Sequence, residues 1–240
     1  MDFREAHHLP SRGAPRPRDL PRQRAGTTPQ MHGRYPDWDV LSQQGHWDEV
    51  TRHVVLARLD PPPIRFFAEA EAATLTVLCD LLLAQDEEPR VPVLRFVDEK
   101  LFEGRRDGYR YDDLPEDDEL WRRVARGLDE EAQRLGRASF AEVDEEQGPY
   151  LCHRFSQGEL DAPTFQTLNP QRAFQIVMRD VCEAFYSHPW VWNEMGFGGP
   201  AYPRGYAAFG APHLGEREHW ERPEAFELDP VRDTEARELD

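Results

Sequence analysis

Apolar side chains recur every three or four residues through the middle of the chain, and prolines break the recurrence into segments. Trp47, Val50, Val54 and Ala57 form a first stripe, so the spacing predicts a helix from His46 to about Leu59, stopped by Pro61-Pro62-Pro63. Leu75, Leu78, Cys79 and Leu82 predict a second over residues 68–84. Pro92 suits the first turn of a third, in which Val93, Phe96, Val97 and Leu101 repeat. A fourth starts after Pro115, with Glu116, Asp117, Asp118 and Glu119 at the end where the helix dipole favours carboxylates. Trp121, Val124, Leu128 and Leu135 mark its inner face, and Gly136 is its natural stop. Ser139 followed by Glu142 spells a capping box for a short fifth helix. Asn169 as cap and Pro170 at the first position open a sixth, lined by Phe174, Val177, Met178, Val181 and Phe185 up to His188-Pro189. There is neither an alternating β-branched run nor an internal repeat, so the expected fold class is all-α, an irregular helical domain with long Pro/Gly/aromatic-rich connections.

The sixth helix leads into a segment of another kind, from Tyr186 to Tyr206, in which Trp and Tyr alternate with Gly and Pro. Such punctuation predicts no long regular helix or strand. The rings bury much apolar area while their N–H and O–H groups seek partners, as at protein–protein contacts. Tyr186, His188, Trp190, Trp192, Asn193, Glu194, Tyr202, Arg204 and Tyr206 are therefore the candidate partner-binding residues. Arg204 can stack on rings or fork onto a carboxylate, in a partner or as an internal clamp. His188, before a proline, can cap the last carbonyls of the sixth helix as a cation, or meet a partner. Truncating Trp192 or Tyr202 to alanine is expected to cost several kcal/mol.

Length and charge narrow the class. The 240 residues suffice for one domain with tails: a disordered Arg/Pro-rich tail over 1–34, a helical domain over 35–210 and an acidic tail or arm over 211–240. A net charge of -17 argues against nucleic-acid binding. Arginine supplies nearly all the basic charge, Lys100 being the only lysine, which reads as compositional bias. No stretch approaches the ~20 apolar residues that span a bilayer, so no direct membrane insertion is expected. The N-terminal arginines lead into no apolar run, so an export signal is not expected either, and the expected location is cytoplasmic. Cys79, Cys152 and Cys182 are widely separated and odd in number. They read as free thiols of a reducing compartment, with a Cys152–Cys182 bridge as the alternative.

Motifs for chemistry are sparse. Gly196-Phe197-Gly198-Gly199-Pro200-Ala201 fits a dinucleotide-loop pattern, but a helix precedes it where a strand is needed, and Pro200 and Pro203 interrupt the stretch where a helix should open. Glu216 and His219 make one Glu-x-x-His unit, where a di-iron bundle uses two, and Glu49 with His53 makes a helix-surface pair. Cys152-His153 lacks the earlier cysteine of a haem-attachment motif. The expectation is no catalytic, cofactor-binding or metal-binding residue in this chain. A stand-alone helical metal-dependent enzyme using Glu216 and His219 is the competing reading.

Several ordered motifs carry a family resemblance: Tyr35-Pro36-x-Trp38-Asp39-Val40-Leu41, Trp47-Asp48-x-Val50-Thr51, Phe66-Phe67 with Glu71 and Thr74-Leu75, Val91-Pro92-Val93 with Asp98-x-x-Leu101, and Gly108-Tyr109-Arg110. The run from Phe185-Tyr186-Ser187-His188-Pro189 through Trp192-Asn193-Glu194-x-Gly196-Phe197 to Gly199-Pro200-Ala201-Tyr202-Pro203-Arg204-Gly205-Tyr206 is the most specific. In these, residues 35–210 resemble the subunit 3 (gamma chain) family of membrane-associated gluconate 2-dehydrogenase. The resemblance implies a helical subunit without a cofactor of its own, packed on an FAD-dependent sugar, sugar-acid or polyol dehydrogenase of the glucose–methanol–choline type. It implies support of that flavoprotein's folding and stability, as a lasting subunit or as a transient assembly chaperone, and a cytochrome c subunit as the frequent electron acceptor. Many members carry a twin-arginine signal that exports the flavoprotein to the periplasm. Without that feature, this chain's complex would stay in the cytoplasm or take its address from the partner.

Overall fold

Prolines and carboxylate caps set the helix boundaries in the computed structural model, which describes residues 39–85, 88–108, 110–195 and 197–200. Among the described residues every regular element is helical and there is no strand. No described helix is long and apolar enough to cross a membrane. The chain divides into two compact units, the first built from residues 39–60, 88–91 and 187–200 and the second from 61–85 and 92–186. Tails assigned to 1–34 and 211–240 lie outside the described residues.

The second unit holds α2 (Glu69–Leu82), α3 (Val93–Phe102), α4 (Asp117–Arg134), α5 (Gln147–Gln157) and α6 (Pro170–Tyr186). Helix α6 packs on α3 and α5, and α4 on α2. Of the stripe expected for α4, Trp121, Val124 and Leu128 face the core, whereas Leu135, at the C-terminal cap, is exposed; Val177 and Val181 of α6 face the core as expected. Asn169 caps α6 as expected, its Oδ1 accepting from Arg172 N–H at 3.1 Å. Gly136, at φ +81, follows the end of α4 in the left-handed conformation that glycine adopts without strain.

The connections of this unit depart from the expected helices. Ser139 makes no cap, and the element after it is a single 3₁₀ turn, Phe140–Glu142. Its first amide is taken by Asp129 of α4, at 2.9 Å, instead of by a local hydroxyl. Helix α5 has no counterpart among the expected helices. Pro149 falls in the first turn, where its missing N–H costs nothing, and Asp144 accepts from Glu146 and Gln147 N–H at 3.1 and 2.9 Å. A further 3₁₀ turn, Pro163–Gln166, packs on α4 at Gly127.

Glycine 127 is there for space. A β-carbon on it would lie 2.6 Å from the Phe165 ring, which is buried and tilted against Phe155 at 5.7 Å. Alanine gains about 1 kcal/mol of helix propensity. The displaced ring costs more, so Gly127→Ala will destabilise by about 1–2 kcal/mol net, read from the urea unfolding midpoint.

Carboxylates do much of the internal fastening. The extended segment 61–68 before α2 has no strand partner, yet its amides and carbonyls find acceptors and donors. Asp98 of α3, with 0 % exposure, accepts from the N–H groups of Arg65, Phe66 and Phe67 at 2.7, 2.9 and 3.0 Å. Arg95 donates to Pro62 O and Arg122 to Phe66 O, each at 2.9 Å. Three successive acids of α4 hold α2 and two neighbouring segments. Asp129 takes Thr74 Oγ1 and Phe140 N–H, Glu130 takes both donors of Thr164, and Glu131 takes Asp161 and Ala162 N–H at 2.7 Å each.

The first unit consists of a 3₁₀ turn over Val40–His46, α1 (Glu49–Ala57) and α7 (Pro189–Met195). Asp48 caps α1 through Thr51 N–H at 2.8 Å, so the helix begins after Trp47. That start corrects the expected stripe: Trp47 and Val55 are buried, whereas Val50 and Val54 are exposed. Val40, Trp47, Val55 and Trp192 form the core, with Leu41 and Phe197 against it.

Candidate functional site

The aromatic segment contains a helix where none was expected. Pro189 at its first position is preorganised for helix, and His188 supplies the cap. His188 Nδ1 accepts from Trp190 N–H at 3.2 Å, while its carbonyl accepts from Val191 and Trp192 N–H at 3.0 and 3.2 Å. This corrects the sequence reading of His188 in direction and in charge. The imidazole serves the helix that comes after it, as a neutral acceptor, and is no cation at the end of α6. Its exposure is 0 %, and burial, with the Arg58 guanidinium adding to it, pushes its pKa down from 6.5 to about 4.

Trp192 is 5 % exposed, and Phe197 meets its ring edge-on at 5.4 Å between centroids. Arg58, at the end of α1, lies over the Trp192 ring at 5.4 Å and donates to Ser187 O at 3.1 Å. Asn193 is buried, and its Oδ1 accepts from Val40 N–H at 2.7 Å, tying α7 to the 3₁₀ turn. Gly199, at φ +80, crosses the same core: a β-carbon there would lie 2.8 Å from Val40 and 2.9 Å from Trp47. That clearance gives the glycine and aromatic composition a packing reason.

The candidate contact residues thus separate. His188, Trp192, Asn193 and Glu194 are buried and, with the half-buried Trp190, belong to the first unit. Tyr186, the last residue of α6, is 50 % exposed and belongs to the second. Tyr202, Arg204 and Tyr206 lie outside the described residues, as do Glu216 and His219.

Buried titratable groups in the second unit are engaged with one another. Lys100 lies 3.1 Å from Asp107 and from Asp180, and 3.4 Å from Glu183. Burial alone would lower its pKa, but these carboxylates outweigh that and hold it above the ordinary value, so the ammonium stays charged. Asp180 also accepts from Trp121 Nε1 at 3.1 Å and pairs with Arg179 at 3.0 Å. The cysteines are free thiols, which decides against a Cys152–Cys182 bridge here. Burial pushes Cys152 up to about 12 and raises Cys79 and Cys182, so thiolate is scarce at neutral pH. Among the described residues no cluster of His, Cys, Asp or Glu has the geometry of a metal site. The sequence reading assigns Asp98, Asp180 and Lys100 none of these roles. The signal was present: Asp98 sits among Leu94, Val97 and Leu101, and Asp180 among Val177, Val181 and Ala184, each a carboxylate within an apolar helix face.

Residues 69–199, from the first residue of α2 to the glycine packed on Trp47, match the family model of gluconate 2-dehydrogenase subunit 3. No curated protein and no solved structure matches significantly. The match is narrower than the resemblance over 35–210, yet it takes in more than half of the chain, all five helices of the second unit and α7. The chain belongs to the gluconate 2-dehydrogenase subunit 3 family, whose members are accessory subunits of a dehydrogenase complex.

Proposed function

We propose that this chain is a non-catalytic small subunit that packs on, stabilises and helps to mature an FAD-dependent sugar, sugar-acid or polyol dehydrogenase of the glucose–methanol–choline type. The observation that carries the reading is the family match over residues 69–199. In this reading FAD belongs to the partner, a cytochrome c subunit takes the electrons where one is present, and this chain holds no prosthetic group. Tyr186 and Trp190, with Tyr202, Arg204 and Tyr206, supply contact to the flavoprotein. His188, Trp192, Asn193 and Glu194 hold the segment in shape from inside. The complex works in the cytoplasm, or in the periplasm when the partner brings the address.

The experiment is recovery of the tagged full chain from its own cells, with mass spectrometry of the proteins that accompany it through size-exclusion chromatography. A flavoprotein in constant ratio, with flavin absorbance, is expected, together with a several-fold fall in its soluble yield when the chain is deleted. A partner that dissociates during chromatography would point to a transient chaperone instead. Turnover by the homogeneous lone chain, or unchanged flavoprotein yield after deletion, would overturn the reading.

A further inference from the structure

His188 is buried within the electrostatic reach of the half-buried Arg58. His188 has no exposure, its Nδ1 is occupied as an acceptor for Trp190 N–H, and its ring meets Trp190 edge-on at 5.0 Å. Arg58, half-buried, is fixed nearby by Ser187 O at 3.1 Å and by the face of Trp192. Burial already lowers the guanidinium's own pKa, as expected for a charge taken from water.

The other charged groups of the first unit are placed elsewhere. Asp39 and Asp48 cap the 3₁₀ turn and α1. His46, Glu49, Arg52, His53 and Asp60 are exposed, and Arg90 pairs with Glu88 at 3.4 Å. Glu194 is buried within α7, and the charge that acts on His188 is that of Arg58.

We propose that His188 and Arg58 form an acid-triggered release for α7. A protonated imidazole carries a hydrogen on Nδ1 and cannot accept from Trp190 N–H. The cap then becomes donor against donor, and a buried cation stands near the half-buried Arg58. Relief comes from turning the imidazolium out to water, which uncaps α7 and loosens the Trp190–Trp192 end of the first unit. Trp192 N–H bonds the His188 carbonyl at 3.2 Å, so the change is carried into the small core that Trp192 forms with Val40, Trp47 and Val55.

Linkage sets the direction with pH. Well above pH 6.5 the imidazole is neutral in folded and unfolded chains alike, and the latch is closed. Between 6.5 and about 4 only the unfolded or released form binds the proton, so stability falls as pH falls. Below about 4 both forms are protonated and the loss levels off. The full shift of the release equilibrium, reached well below pH 4, is about 300-fold.

The test compares the full chain with His188→Asn, which keeps an oxygen acceptor for the cap but does not titrate. Urea unfolding and amide hydrogen exchange are followed from pH 7 to 4. The wild type is expected to lose protection in α7 across this window, with its unfolding constant rising by about 100-fold more than that of the variant. Equal pH dependence in the two proteins would overturn the proposal. Should the variant not fold, the His188 ring proton shifts of the wild type decide by NMR. Titration near 4 supports the latch, and titration between 6 and 7 refutes it.

Discussion

Asp98→Ala will destabilise the second unit by about 3–5 kcal/mol, with Asp98→Asn between it and the wild type. The carboxylate accepts from three consecutive main-chain amides, of which Phe67 N–H is buried. Alanine leaves all three without an acceptor. Each hydrogen bond to a charged group is worth about 1.5–3 kcal/mol, and water can recover part of this at the half-buried Arg65 and Phe66 amides. Asparagine retains a single acceptor oxygen and turns an amide donor toward the other amides. The loss reaches beyond the turn, because Phe67 packs against Trp121 at 6.3 Å between centroids, and Phe66 lies under Arg122. The measurement is the urea midpoint with unchanged slope. A shift below about 1 kcal/mol would mean that Arg95 and Arg122 position segment 61–68 without Asp98.

Trp192→Ala will cost about 3–5 kcal/mol in the isolated chain, before any partner is considered. The indole fills a core of few residues, so the cavity has little around it with which to collapse. It is also the surface on which Arg58 rests and against which Phe197 packs. Hydrogen exchange should show α1 and α7 losing protection while α2 to α6 keep theirs, since the residues touching Trp192 belong to the first unit. Full protection in α1 and α7 of the variant would show that the indole is dispensable to the fold. Tyr186→Ala offers the contrast: at 50 % exposure it should leave the stability of the lone chain within about 0.5 kcal/mol and act on partner affinity alone.

Period and caps made most of the second unit legible. The stripes of α2, α3, α4 and α6 are encoded locally, and Asn169, Pro170 and Gly136 sit where helix-end chemistry needs them. Helix α5 has no counterpart among the expected helices, and Gly148-Pro149 is compatible with it only because Pro149 falls within the first turn. The α1 stripe was misphased because Trp47 shares the helical spacing but precedes the Asp48 cap.

In the aromatic segment, composition established that large rings must pack. It left open whether they pack inward or against a second protein, since both bury the same area. Tertiary contact decided for Trp192 and Asn193, through neighbours far away in the chain such as Val40, 153 residues before Asn193.

The helical class, the main helix faces and the family are set by sequence alone, because these rest on residues close together or in a fixed order along the chain. The role of each carboxylate, the charge of His188 and the choice of inward-facing aromatics were decided only in three dimensions. A proton's affinity and a hydrogen bond's partner depend on how much water is excluded and which distant group fills the gap, and neither is written in local spacing.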